Sequence, residues 1–552
     1  MPGHRVFSLA ALGALASSIL GCNAALGIQE KKRGDALVDG GGLVDGESLV
    51  DGGSFALSIV KPPPRADGTQ PSVRLVRDSA VSVELAVSRS DGFEGTVTVL
   101  VSGLARGVTA DPVIFPPSQS AGTLTLRADV SAELGPMSLS ILGAHDSLVL
   151  SPLVLPVIVQ DAPGTPDTTF GNGGKVMVPV GSGGVGPGGI RLQPNGALVL
   201  CGHAKKEGVE SAIVVARITA SGALDSTFAG GPGAALGNSA GSKADACAAT
   251  FLRPNGGIVF TGFATPVADQ PRALVTGRFR PDGFPDQNFG TPPSGFQTTP
   301  LDGTGSEGYC VIGPTTNDTF VVGGVGRGHP ALLRFGKNGL LDPTFGSESA
   351  QELSVPGGIR WLTQQASGDF VAAIESSTFL VARFTPNGAL DKTFGDDGTK
   401  SIAAGGQASS AAVVLAQSDD SIVVLGTETL AAGATDIALA RLTKSGQLDP
   451  AFGVAGLGTV HFGGASIVSS AVESGGAIVV AGQTSTDAGS AFTVLRVSGD
   501  GSLDATFGTG GRQVLGVGMA QAITVDDLGR IIVAGFLGGT SEGSVVAYRL
   551  WP

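Results

Sequence analysis

The chain has 552 residues, of which 88 are Gly and only 15% are charged. This composition favours many short apolar strands joined by turns, so we expect an all-β fold. The net charge of −13 disfavours nucleic acid or an anionic membrane surface as a partner, because no basic stripe offsets the repulsion.

The N-terminus has the pattern of an export signal. Arg5 precedes an apolar run over residues 6–20, which is too short for a membrane-spanning helix. Ile-Leu-Gly-Cys at 19–22 resembles a bacterial lipobox, although Leu20 is larger than the residue usual at its position. The resemblance implies cleavage before Cys22 and lipidation of that residue. We therefore expect residues 1–22 to be a lipoprotein signal peptide, the alternative being an ordinary signal with an incidental Cys.

The signal peptide would export the protein, and lipidation would anchor it to the bacterial outer membrane or cell surface. Residues 23–54 follow as a predicted flexible tether that contains three copies of Leu-Val-Asp-Gly. Their Asp residues, Asp39, Asp45 and Asp51, recur at a period of six, which does not supply the closely alternating oxygen ligands of a calcium loop.

Residues 55–160 have the period-two alternation of apolar and polar residues that is typical of a small β-sandwich. The stretch 92–108, GFEGTVTVLVSGLARGV, resembles bacterial immunoglobulin-like domains. That resemblance implies a spacer or adhesion-type module without catalysis.

One motif, Leu-Asp-x-Thr-Phe-Gly or a close variant, recurs seven times from residue 166 onward. Its Asp residues, spaced by 49 to 61 positions, are Asp167, Asp225, Asp286, Asp342, Asp391, Asp449 and Asp504. Phe follows each Asp by three residues and Gly precedes it by three. The Gly suits a turn with positive φ, and the Phe is large enough to fill a seam between repeats.

The spacing fits one supersecondary unit per repeat, which we interpret as four antiparallel strands, the last of them carrying the Asp-x-x-Phe-Gly motif. Seven such units predict a seven-bladed β-propeller over residues 166–552. The motif and the recurring strand GAIVVAG (476–482) resemble the delta-60 repeat, a bacterial propeller-like repeat. That family has no established activity, so the resemblance implies fold and secretion but no mechanism.

An Arg precedes the Asp by eight residues in six repeats. The six pairs are Arg217–Asp225, Arg278–Asp286, Arg334–Asp342, Arg383–Asp391, Arg441–Asp449 and Arg496–Asp504. The spacing places each pair across a short hairpin, where it would fix the register of the strands. A ring of anion or metal sites is the alternative interpretation.

Two members of this pattern have no partner in their own repeat. Asp167 has Val159 where its Arg should be, and Arg549 has no residue eight positions after it. We predict that residues 166–180 add the outermost strand to the last blade, so that Arg549 pairs with Asp167 and closes the ring.

The sequence predicts no metal site, no cofactor and no catalytic residues. The four Cys have no C-x-x-C spacing, and the His residues fall at unrelated repeat positions. Export could allow a disulfide among Cys201, Cys247 and Cys310, but we expect no specific pair.

Variable polar segments between fixed strands favour a monomeric, non-catalytic binding or scaffold module for an envelope protein or glycan. A propeller hydrolase or lyase with a site in the central channel is the second hypothesis, and a structural envelope protein without a specific ligand is the third. A cluster of Asp, His or Arg from three or more blades at one mouth of the channel would favour the enzyme. A channel lined by Gly, Ala and Val would count against it.

Overall fold

The computed structural model describes residues 48–552 with gaps at 51–52, 66–67, 91, 147, 179–185, 207–208, 240, 267–269, 291–293, 302–304, 316–317, 347–349, 407, 431–432, 462–465, 487–488 and 539–543. The predicted signal peptide, Cys22 and most of the predicted tether lie outside the described residues. Within these ranges every element is a β-strand except one 3₁₀ turn at Phe228–Gly230, so the all-β expectation is confirmed. The described part of the chain contains no helix that is long and apolar enough to span a membrane.

The chain divides into two compact units, Met1–Asp161 and Ala162–Pro552. The strands of the first unit are β1 Ser48–Val50, β2 Gly53–Lys61, β3 Val73–Val76, β4 Ser79–Ser90, β5 Val97–Ser102, β6 Val108–Ala110, β7 Val113–Phe115, β8 Ala121–Ala128, β9 Gly135–His145, β10 Leu148–Val149 and β11 Leu153–Gln160. They form one sheet in the order β1-β2-β4-β8-β6 and a second in the order β3-β11-β9-β5-β7, with β10 beside β9.

Alternate residues of these strands point into a shared apolar core. Phe55, Leu75, Leu124 and Ile141 are buried there and come from both sheets. The alternation of buried and accessible residues along β4 follows from the period of two along a strand.

The predicted tether, residues 23–54, extends too far at its C-terminal end, because two strands begin within it. Residues 48–50 form β1, which pairs antiparallel with the start of β2, where Ser48 lies opposite Phe55. The unpaired edge of β2 offers backbone donors and acceptors, and the preceding segment satisfies them.

The second unit contains β12–β38. The strands are β12 Lys175–Val178, β13 Gly186–Leu192, β14 Leu198–Lys206, β15 Val209–Ile218, β16 Ala234–Gly237, β17 Ser242–Leu252, β18 Ile258–Pro266, β19 Ala273–Phe279, β20 Phe296–Thr299, β21 Ser306–Ile312, β22 Phe320–Gly326, β23 His329–Phe335, β24 Ala350–Glu352, β25 Ile359–Gln364, β26 Phe370–Ile374, β27 Phe379–Phe384, β28 Thr399–Ile402, β29 Ala408–Ala416, β30 Ile422–Thr429, β31 Thr435–Leu442, β32 Leu457–Val460, β33 Ser466–Ser474, β34 Ala477–Thr486, β35 Gly489–Val497, β36 Arg512–Val525, β37 Ile531–Leu537 and β38 Ser544–Leu550.

These strands pair antiparallel in groups of four, which we number along the chain. Groups 1 to 5 are β13–β16, β17–β20, β21–β24, β25–β28 and β29–β32. Group 6 is β33–β35 with the start of β36, and group 7 is the rest of β36 with β37, β38 and β12. The first strands of successive groups lie side by side, and β13 of group 1 also packs beside β36 of group 7.

The N-terminal strand of the second unit completes group 7. Lys175 to Val178 pair antiparallel with Tyr548 to Val545, and a further bridge joins Pro166 to Leu550. The predicted outermost strand therefore occupies Lys175–Val178, the last part of the predicted segment 166–180.

The Asp-x-x-Phe-Gly motif is not itself a strand, in contrast to our prediction. It forms a hydrogen-bonded turn between the third and fourth strands, as in group 1, where Phe228 N–H donates to Asp225 O at 3.0 Å. The side chain of the Asp also accepts from nearby backbone, which favours a turn over an extended chain. The fourth strand begins several residues later, at Ala234 in group 1.

The motif Phe residues fill the seams between neighbouring groups. Phe345 is fully buried, and the adjacent repeat contributes Gly388 against its ring. A Cβ built on Gly388 would lie 2.7 Å from that ring, and the φ of Gly388 is +84°. Only Gly satisfies both the turn and the close approach here.

The structure contains a disulfide between Cys201 and Cys247, where we expected no specific pair. Cys201 lies on β14 of group 1 and Cys247 on β17 of group 2, with Cα atoms 6.0 Å apart. The two residues are not equivalent within their repeats, and the packing of one group on the next brings them together. An alignment of the repeats could not predict this contact, because the alignment does not show how far one group is shifted against the next in space.

Candidate functional site: the central channel

The first strands of all seven groups line one cavity of about 620 Å³ in the second unit, which we call the channel. Its wall includes Gly189, Ala249, Ala411, Val468 and Ala522, one small or apolar residue from each of five groups. The volume lies within the range of about 300–1,000 Å³ that is typical of small-molecule sites.

Each first strand has a register shift of one residue at the channel wall, which is the pattern of a β-bulge. The residues at the shifts are Gly188, Ala248, Tyr309, Arg360, Ala412, Ser469 and Gln521. All seven line the channel. In groups 2 to 7 the bulge re-aims one side chain toward the channel, whereas Gly188 of group 1 has none, so these positions shape the chemistry of the wall.

We did not predict the channel residues from the sequence, although a signal for them was present. The Gly of the recurring Val-Val-Ala-Gly strand lies opposite the bulge, and a Cβ on Gly482 would approach Ile467 O to 2.0 Å. Gly426 and Gly535 have the same close approach to a first-strand carbonyl. A Gly inside a strand often marks a bulge in its neighbour, so the motif Gly could have located the inward-facing residues.

One wall of the channel carries a charged and aromatic cluster. Arg360 donates to Glu375 Oε2 at 2.8 Å, and its guanidinium lies 4.4 Å from the centre of the Tyr309 ring. Burial raises the pKa of Tyr309, and the nearby Glu307 carboxylate raises it further. Tyr309 therefore stays a neutral phenol at neutral pH, and the cationic charge of Arg360 is balanced by Glu375.

A second cation, Arg191, lies elsewhere on the wall. Its Nη1 donates to Ile190 O at 2.8 Å, and within the described residues no carboxylate lies within 4.0 Å of its guanidinium. Burial lowers the pKa of Arg191, and no acidic group counters this effect. An Arg stays protonated even so, so the channel wall contains a half-buried positive charge.

The buried Cys310 also contributes to the wall, but its thiol is unsuited to nucleophilic chemistry. Burial raises its pKa to about 12. Because the thiolate is the nucleophile, almost none is present at neutral pH.

Within the described residues no group of three or more His, Cys, Asp or Glu side chains is arranged to hold a metal ion. The polar residues that line the channel are Arg, Tyr, Glu, Gln, Ser and Thr. All of these side chains except the Glu carboxylate can donate hydrogen bonds, and they suit the recognition of a polar or anionic molecule.

The six Arg–Asp pairs lie far along each group from the channel, between the third strand and the motif turn. In all six, Nε of the Arg lies 2.7 or 2.8 Å from Oδ2 of the Asp. Each guanidinium also stacks on the motif Phe of its own repeat, 4.7–5.1 Å from the ring centre.

The guanidinium groups of these arginines already make hydrogen bonds within the fold. Arg441 uses Nε for Asp449 and Nη1 for Gly499 O of the next repeat, at 2.7 and 3.0 Å. Arg217 bonds in the same way to Pro281 O at 2.8 Å. A guanidinium that joins its own hairpin to the neighbouring turn has little capacity left for a ligand, which supports a structural role.

The predicted closure pair is in contact. Arg549 Nε lies 2.8 Å from Asp167 Oδ2, and both side chains are almost fully buried, with exposed fractions of 6% and 0%. Asp167 also accepts from Arg530 Nη1 at 3.1 Å, a partner that the repeat pattern does not contain. Burial and the neighbouring Arg530 charge lower the pKa of Arg549, while Asp167 opposes that effect.

The motif carboxylates make the free energy of unfolding depend on pH. The Thr227 hydroxyl, followed by its backbone N–H and Arg217, holds the pKa of Asp225 below its usual value despite the opposing effect of burial. Thr506 and Arg496 act similarly on the pKa of Asp504. A carboxyl with a lowered folded-state pKa contributes stability above its unfolded pKa, and this contribution is lost as pH falls through the folded value.

We therefore expect the free energy of unfolding to change little between pH 6 and 8 and to fall below about pH 4. Urea unfolding followed by Trp fluorescence would measure this, because both Trp residues, Trp361 and Trp551, lie in the second unit. The Asp225→Asn variant should have a shallower acid decline than the wild type. An unchanged slope would show that this carboxylate does not contribute.

A family model described as "Domain of unknown function (DUF5122) beta-propeller" matches residues 193–228, 366–394, 417–452 and 476–507. Each matched segment runs from the turn after a first strand to the motif Phe. The chain therefore contains a β-propeller domain. No curated protein matches the chain.

Several solved structures match this chain at low sequence identity and low TM-score. A protein of unknown function from Bacteroides caccae is 12% identical, with 55% of this chain and 94% of that chain covered and a TM-score of 0.32. A PL25 ulvan lyase, bound to -[GlcA(1-4)Rha3S]-, is 10% identical, with 71% and 94% covered and a TM-score of 0.39. The NanB sialidase of Streptococcus pneumoniae is 7% identical, with 83% and 95% covered and a TM-score of 0.36.

Proposed function

We propose that the protein is a non-catalytic binding module of the bacterial cell envelope. In this proposal the seven groups are the blades of a closed propeller, and the first unit is an immunoglobulin-like spacer. Cys22 carries the lipid anchor that holds both at the outer membrane or cell surface. Palmitate labelling that persists in the Cys22→Ala variant would contradict the anchor.

The observation that carries the binding role is the channel itself. It is large enough for a small molecule, and all seven first strands shape its wall. A rigid wall built from strands holds its polar groups in fixed positions, which reduces the entropy lost on binding.

The lining supports binding over catalysis. The two channel arginines, Arg191 and Arg360, come from only two groups and from different positions along their strands. Arg360 is balanced by Glu375, and Cys310 is protonated. A hydrolase or lyase needs a general acid and a general base beside the reacting bond, and this wall offers Tyr309 and Glu375 only in contact with Arg360.

The proposal is tested by filling the channel. Ala412 occupies a bulge position on the wall, so Ala412→Trp should block binding while the melting temperature stays near the wild-type value. Ala451→Trp, on an exposed motif turn, is the matched control. Equilibrium dialysis against a panel of soluble saccharides and small carboxylates would measure binding to the full mature chain.

Nuclear magnetic resonance of the same solutions would detect turnover. We expect at least one compound to bind the wild type and Ala451→Trp, to bind Ala412→Trp at least ten-fold more weakly, and to be recovered unchanged. Protein-dependent formation of a product would favour the hydrolase or lyase. Absence of binding across the panel would favour a structural envelope protein.

A further inference from the structure

We infer that the channel binds a small hydroxylated carboxylate, of the sugar-acid class, through an ion pair with Arg191. This inference rests on the proposed binding function and names its ligand chemistry. It starts from the position of Arg191 near the end of β13, three residues after the bulge at Gly188.

Of the seven residues that lie three positions after a bulge, Arg191 is the charged one. The residues three positions after the other six bulges are Phe251, Ile312, Thr363, Leu415, Val472 and Thr524. Arg191 itself is half-buried in the channel wall, so its guanidinium has lost part of its hydration. Poorly solvated charge is costly unless it is paired, and an arginine binds carboxylates through two parallel hydrogen bonds.

The contacts of Arg191 leave it able to accept such a ligand. Of its five N–H groups, one bonds to Ile190 O. The motif arginines differ, because each of them already holds an Asp carboxylate. Arg191 is therefore the channel cation whose charge is not neutralised by a carboxylate within the described residues.

The charge balance of the wall favours an anion as well. Two arginines and one glutamate line the channel, in a chain whose net charge is −13. The charged side chains of the lining therefore leave an excess of positive charge, which attracts anions because field lines concentrate in a cavity with low-dielectric walls.

The remaining lining indicates hydroxyl groups on the ligand. Ser410 and Thr427 face each other on β29 and β30, and Ser469 and Ser470 lie on β33 of the next group. Gln521 adds a side-chain amide. Hydroxyl and amide side chains both donate and accept, so they match the hydroxyls of a sugar acid better than an apolar or a purely inorganic anion.

The test uses D-gluconate and D-glucuronate as probes, with D-glucose as the neutral counterpart and sodium sulfate as the inorganic anion. Isothermal titration calorimetry on the full mature chain should detect at least one sugar acid and should give a weaker signal for glucose. Arg191→Gln should weaken binding of the sugar acid at least ten-fold. Arg280→Gln, which removes a half-exposed cation outside the channel, should leave it within two-fold of the wild type.

The outcomes separate this inference from the proposed function. Equal affinity of a sugar acid for the wild type and Arg191→Gln, or no binding of either sugar acid, would overturn the inference. Tighter binding of glucose or of sulfate than of both sugar acids would also overturn it, and the glucose result would leave the binding function intact. Conversion of a probe to product would contradict the proposed function itself. Melting curves of both variants verify that the fold is retained.

Discussion

Arg549→Ala should lower the free energy of unfolding by about 3–5 kcal/mol, the range for breaking a buried ion pair by removing one partner. Asp167 is fully buried, and its Oδ2 would keep only the Arg530 contact at 3.1 Å, while its Oδ1 would still accept from Thr169. Arg549 also donates to Ala220 O and Thr169 Oγ1, at 2.8 and 3.0 Å. The variant therefore loses the side-chain bonds that hold the last strand to the first motif turn.

Arg496→Ala is the matched control. Arg496 makes the same bond to Asp504 at 2.7 Å, but the two side chains have exposed fractions of 14% and 21%. Water can reach the carboxylate left behind, so we expect a smaller loss, about 1–3 kcal/mol. Urea unfolding followed by Trp fluorescence compares the two variants under the same conditions.

The double variant Arg549→Ala/Asp167→Ala gives the coupling between the two residues. Removal of both charges leaves no buried carboxylate without a full set of partners, so its cost should be less than the sum of the single variants. Equal losses for Arg549→Ala and Arg496→Ala would show that closure has no special energetic role. Additive losses in the double variant would show that the contact does not couple the first motif turn to the last strand.

The closure contact could be anticipated because it depends only on counting within repeats. The eight-residue spacing gives six of the seven motif Asp residues an Arg on the preceding strand. The two residues left without a partner in their own repeat, Asp167 and Arg549, complement each other. Arg530 could not be anticipated in the same way. It reaches Asp167 from the turn before β37, a contact that no other group repeats.

The candidate site was less accessible to sequence reasoning than the fold. The bulge positions hold seven residues of six different types, so no shared residue type identifies them. Their common property is geometric, since each points into the space enclosed by the first strands. Arg191 has no equivalent in other groups, and its lack of a carboxylate partner becomes visible only when the neighbouring strands are in place.

Phe345→Ala should cost about 3–5 kcal/mol, the range for removing a large aromatic side chain from a packed core. The Phe345 ring is fully buried at the seam between groups 3 and 4, with Arg334 4.7 Å above its centre. The variant loses both the packing of the ring in the seam and the stacking contact with Arg334. The rigid strands on either side cannot move in to fill the cavity. Phe284→Ala is the control, because Phe284 is 44% exposed and its removal should cost less than about 1 kcal/mol.

The seam argument predicts a specific coupling with Gly388. In the wild type, Gly388→Ala adds a Cβ 2.7 Å from the Phe345 ring and also forces Ala to a φ of +84°. In the Phe345→Ala background the steric clash disappears and the backbone strain remains, so Gly388→Ala should cost less there than in the wild type. Unfolding free energies of the four proteins measure this difference. An identical cost in both backgrounds would mean that the Gly is required only for its backbone conformation, and that the ring does not hold the two groups together.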